Sequence, residues 1–103
     1  MNDKYILDGH KAIPADLMTW AKWFQTAERH VADEMVGSVR ISTIFLGLDH
    51  SFGGSRPLLF ETMIFGGSLD QEMRRYSTWK EAEAGHKKMV EQVKATSLRK
   101  EKL

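Results

Sequence analysis

Two strand-length apolar runs, Val39–Leu48 and Leu58–Phe65, flank a polar loop and most constrain what this chain can become. The first is rich in β-branched residues (Val39, Ile41, Thr43, Ile44), which suit a pleated surface, and alternation puts Val39, Ile41, Thr43 and Phe45 on one face. Its far end is apolar on both faces, as in a central strand. Pro57 opens the second run, where a missing N–H does least harm, and Gly66-Gly67-Ser68 closes it. A connection of about ten residues is too short for a parallel crossover, so the pair is predicted to be an antiparallel hairpin.

The flanking segments extend this nucleus. Tyr5–Leu7 reads as a short strand stopped by a turn at Asp8-Gly9-His10. Pro14 and the acidic Asp16 suit a first helical turn, and Leu17, Trp20, Ala21, Phe24 and Ala27 recur at helical spacing, with Trp23 on the flank; the expected helix spans roughly residues 14–29. His30–Val36 fits a continued helix nearly as well as a strand; the strand, leading to a turn at Gly37-Ser38, is preferred. Met73–Ser77 is read as an edge strand, with Arg74, Arg75 and Tyr76 discouraging pairing with other chains. Thr78-Trp79-Lys80-Glu81 is a capping box that opens a second helix. Its apolar stripe is Trp79, Ala82, His86, Met89, Val90 and Val93, and Gly85 within it costs about 1 kcal/mol relative to alanine while leaving room for a neighbouring backbone to approach. The expected fold is α+β: a four- or five-stranded, mainly antiparallel sheet with both helices on one face. It forms one domain over residues 1–95, and a basic tail, residues 96–103, is expected to fray.

Composition narrows the function classes. With 103 residues, 42% hydrophobic and 28% charged, the chain resembles an ordinary folded domain. A net charge of +1 is too small for a strongly electrostatic nucleic-acid binder. No cysteine is present, which removes disulfides, thiolate catalysis and cysteine-ligated metals. The four histidines (His10, His30, His50, His86) lack metal-ligand spacing, so no metal is expected. There is no P-loop, dinucleotide fingerprint or G-x-S-x-G elbow, and no cofactor is expected. The N-terminus carries no export pattern, and no run approaches the roughly 20 apolar residues of a membrane helix; the expectation is a cytoplasmic protein.

The candidate ligand surface is the loop itself. Asp49, His50, Phe52, Gly53, Gly54 and Arg56 crowd acidic, imidazole, aromatic and guanidinium groups onto flexible backbone. Arg56 suits a phosphate or carboxylate, and Phe52 suits stacking. A purely structural reading has Asp49 accepting backbone N–H bonds and the glycines making the turn. Two more residues join the set. Glu61, mid-strand among apolar neighbours, is either an outward-facing partner of Arg40 or an acid in a pocket. His86 is either a half-buried histidine bonded to a backbone carbonyl or a pocket imidazole facing the hairpin.

The phrases YILDGH, WAKWF, STIFLGLDHSFG, PLLFETMIFGG and RYSTWKEAEAGH together resemble a set of small proteins of tailed phages and prophages, over Tyr5 to about Val93. The resemblance implies a phage accessory protein working in the host bacterial cytoplasm. The leading expectation is a non-catalytic binding protein that counters a host defence by capturing a host protein or a small nucleotide signal, with assembly into oligomers compatible with so small a domain. The alternatives are a small hydrolase or nuclease using Asp49 and His50 with Glu61 or His86, and a virion or regulatory interaction protein.

Overall fold

The structure is a computed structural model describing residues 2–101, with side chains described through Leu98. A hairpin of β1 (Tyr5–Asp8) and β2 (Lys11–Pro14) leads to α1 (Leu17–Thr26); β3 (His30–Val36), β4 (Val39–Phe45), β5 (Phe60–Phe65) and β6 (Met73–Tyr76) follow, and α2 (Trp79–Glu101) ends the described chain. β3–β4–β5–β6 form one antiparallel meander, and β1–β2 form a separate two-stranded sheet. The α+β class therefore holds, with four strands in the main sheet.

Sequence alternation translates directly into the core. β4 and β5 register as Ile41 with Ile64, Thr43 with Thr62, and Phe45 with Phe60, and all six side chains are buried. α2 lays Ala82, His86, Met89, Val90 and Val93 along this face. Burying each of the large aliphatic and aromatic groups is worth about 1.5–3 kcal/mol. The threonine row divides the interior: Ile41, Ile64, Met89, Val90 and Val93 pack on one side of it, and Phe45, Leu59, Phe60 and Ala82 on the other. α1 reaches the same face only at its end, through Trp23 edge-on to Phe45. It buries no residue fully, and Leu17, expected in its apolar stripe, is exposed.

Several boundaries differ from expectation, each for a local reason. Lys11–Pro14 pairs with β1, so Pro14 ends a strand opposite Tyr5 instead of opening a helix. The helix cap is Asp16, whose carboxylate accepts the Thr19 N–H at 2.8 Å. α1 stops at Thr26 because Ala27 is already extended, with ψ 139°. β4 stops at Phe45 because Gly47 takes a left-handed φ of +76°, close under Phe24 and Trp20. The capping box forms as read: Thr78 Oγ1 accepts the Glu81 N–H and Glu81 Oε1 accepts the Thr78 N–H, both at 3.1 Å. α2 stays helical through Glu101, beyond the point where the sequence turns basic; Lys102 and Leu103, part of the tail expected to fray, lie outside the described residues.

Candidate functional site: the loop between β4 and β5

Residues 46–59 connect β4 to β5, and their stem is held like sheet. Leu46 N–H donates to Leu59 O at 2.7 Å and His50 N–H to Leu58 O at 3.0 Å. On the other side, Tyr5 N–H donates to Gly47 O and Asp49 N–H to Asp3 O, each at 2.9 Å. The N-terminal strand thus braces the loop, and residues 51–57 form the projecting tip.

The polar groups predicted to meet a ligand fasten this tip. Asp49 Oδ1 accepts from Ser51 N–H at 2.8 Å and Leu58 N–H at 3.0 Å, tying both ends of the tip to one carboxylate. Burial pushes the Asp49 carboxyl up, but these two N–H donors outweigh it and hold the group below its ordinary value. His50 Nδ1–H donates to Leu48 O at 2.9 Å. Arg56 makes a two-pronged contact with Glu81, at 3.2 and 3.0 Å, joining the tip to the capping box of α2. The Arg56 guanidinium, ahead of every other influence, keeps the Glu81 carboxyl below its usual range. Both side chains are well exposed, so the pair positions the loop more than it stabilises the fold.

Phe52 stands apart. It is 86% exposed and holds a left-handed φ of +51°. Its ring is edge-on to His50, with centroids 6.3 Å apart. Gly53, at φ +92°, and Gly54 complete the turn, with Gly54 N–H donating to Ser51 O at 3.2 Å. A bulky residue in the left-handed region costs roughly 1–2 kcal/mol, and here no burial of the ring offsets it.

Glu61 and His86 lie elsewhere. Glu61 faces away from α2 and pairs with Arg75 at 3.0 Å, its cross-strand neighbour in β6. Arg40, the expected partner, sits opposite Phe65 and instead forks onto Asp33 at 3.0 and 2.9 Å. His86, on the inner face of α2, is 2% exposed and bonds side chains, not a backbone carbonyl. Its Nε2–H donates to Glu34 Oε1 at 2.9 Å, and its Nδ1 lies 2.7 Å from Thr43 Oγ1. Thr43 in turn bonds Thr62, which accepts from Tyr76 O–H at 3.1 Å. This chain spans all four strands and α2, and Thr43 and Thr62 are fully buried. The sheet separates Glu61 from His86, and the side-chain partners of both lie in the sheet, not in the loop.

The Asp8-Gly9-His10 turn carries a second feature. His10, at the tip of the β1–β2 hairpin, stacks flat on Trp79, with ring centroids 3.8 Å apart and planes 4° from parallel. The pairing is long-range, and nothing local in Asp8-Gly9-His10 signals it. No protein-family model, curated protein or solved structure matches this chain. No helix among the described residues is long and apolar enough to cross a membrane.

Proposed function

We propose that this chain is a non-catalytic accessory protein of a tailed phage, acting by binding in the host cytoplasm, and that it captures a host protein through the loop between β4 and β5. Interference with a host defence is the role this serves. One observation carries the reading: an aromatic side chain is held almost wholly in solvent, on strained backbone, by a loop braced on three sides. Aromatic residues, Phe among them, are enriched at the cores of protein interfaces. Bracing the loop beforehand lowers the ordering cost of association. The phage resemblance supplies the setting. A captured nucleotide signal is the weaker reading for this loop, because a phosphate at Arg56 must first displace the fork to Glu81.

The test is native mass spectrometry of tagged wild type and Phe52→Ala purified from phage-infected cells. Wild type is expected to carry a host protein at fixed stoichiometry, and Phe52→Ala to emerge bare with an unchanged thermal melt. A bare wild type, or equal retention by both, overturns the proposal; a retained small molecule in place of a protein restores the nucleotide reading.

A further inference from the structure

The hairpin of β1 and β2, the end of the β4–β5 loop and the start of α2 enclose a cleft that does not involve Phe52. Its volume is about 270 Å3, with Tyr5, Ala12, Pro57, Leu59, Phe60 and Trp79 among its walls. Leu59 and Phe60 are buried, so the floor is part of the core. His10, Lys11 and Trp79 line both this cleft and a shallower groove beside it, which adds Lys80 and Glu83. The stacked pair therefore stands between an apolar recess and a charged rim.

Three properties specify an occupant. The recess is walled mainly by aromatic and aliphatic groups, and its volume, just below the usual range for small-molecule sites, admits one ring system with a small substituent. The indole Nε1–H of Trp79 is buried and has no hydrogen-bond partner among the described residues. A buried donor left unpaired costs about 1–3 kcal/mol, a cost that a ligand acceptor recovers only by displacing what closes the indole N–H from solvent. The rim favours negative charge. Lys11 and Lys80 outnumber Glu83, and the positive end of a 23-residue helix begins at Trp79. Glu81, the acid of the helix's first turn, is already held by Arg56 and by the Ser77 and Thr78 N–H groups.

We infer that this cleft binds a small planar anion, an aromatic or heteroaromatic ring carrying a phosphate or carboxylate, with the ring in the recess beside Trp79 and the acid toward Lys11 and Lys80. The site is independent of Phe52 and of the partner proposed for it.

The experiment is a 1H–15N NMR titration of the full chain, with the Trp79 indole resonance assigned by its loss in Trp79→Phe. AMP is the phosphate probe and indole-3-acetate the carboxylate probe, each taken to millimolar concentration; adenosine and ribose 5-phosphate supply ring without charge and charge without ring. At least one of the two anions is expected to shift the Trp79 indole signal saturably, and to bind more tightly than either half-probe. Replacing both exposed lysines (Lys11→Ala with Lys80→Ala) is expected to weaken that binding by roughly fivefold. Phe52→Ala is expected to bind the probe as wild type does, which separates this site from the loop. An unmoved indole signal with both anions overturns the inference, as does equal affinity in the double-lysine variant.

Discussion

Gly85 offers a sharp test of how α2 is seated, because two physical effects at that position have opposite signs. In isolation, glycine in a helix interior is worse than alanine by about 1 kcal/mol, so Gly85→Ala should stabilise. In this fold the ring of Tyr76 rests directly on Gly85, and a β-carbon there would fall well inside contact distance of Tyr76 Cε1, Cζ and Oη. The ring is not free to yield, since its hydroxyl donates to Thr62 Oγ1 at 3.1 Å. Accommodating a methyl group means either overpacking, at about 1–3 kcal/mol, or moving the ring and leaving buried hydroxyls short of a partner, at a similar cost. After the gain of about 1 kcal/mol in helix propensity, Gly85→Ala is expected to destabilise by about 1 kcal/mol. The assay is urea unfolding followed by tryptophan fluorescence and circular dichroism, with stability taken from midpoint and slope. The same substitution in a Tyr76→Ala background should reverse sign and stabilise by about 1 kcal/mol, because only the propensity effect survives. Tyr76→Leu is the alternative background if the truncation unfolds the chain. Stabilisation of equal size in both backgrounds would falsify the packing argument.

Three further outcomes are expected. Thr43→Val removes a buried hydroxyl that bonds both His86 and Thr62, and should cost about 1–3 kcal/mol in urea unfolding; with Thr62→Val added, the total should fall short of the sum of the two single effects, and strict additivity would mean the network is not coupled. Asp49 and Glu81 both have carboxyls held below their ordinary values of 3.8 and 4.5, so their contribution to stability is present above those values and is lost as pH falls through the lower folded ones. Asp49→Asn should accordingly flatten part of the stability loss below about pH 4, and an unchanged acid profile would contradict the two-donor geometry at that carboxylate. Phe52→Gly should leave stability within about 0.5 kcal/mol, since relief of a left-handed aromatic offsets the added chain entropy; a loss well beyond that would show the ring packing on its own protein.

What the sequence disclosed and what it hid divide along a physical line. β4, β5, the capping box and the stripe of α2 were legible because each is written in local periodicity or in a short motif whose partner lies within four residues. Cross-strand partners were not. Glu61 looked like a partner for Arg40, yet their pairing depends on a register set by the whole hairpin, and a shift of a few residues places Arg75 beside Glu61 and Asp33 beside Arg40. β2 was missed because Lys11–Pro14 is four residues long and makes sense only once Tyr5–Asp8 lies alongside it. His86 was placed correctly on a buried stripe, but its partners come from β3 and β4, some fifty and forty residues away in the chain.

The same division reshapes the candidate site. Chemistry crowded into a loop invites the reading that every polar group faces outward, but short polar side chains in a tight loop first satisfy the backbone they interrupt. Asp49 and His50 do so within the loop and its stem, and Arg56 finds the carboxylate that already caps α2. The residue left for an outside partner is the one with nothing to offer its own backbone, Phe52. A loop whose polar residues serve structure and whose aromatic residue serves none is the pattern expected when the contact to be made is apolar and the presenting surface is stiff. Loosening the stiffness while sparing the anchor separates these two roles. Arg56→Ala should leave the global fold intact and weaken capture by a smaller factor than Phe52→Ala, because it releases the tip without deleting the contact. Equal losses from the two variants, measured on the same captured partner, would return Arg56 to the binding surface itself.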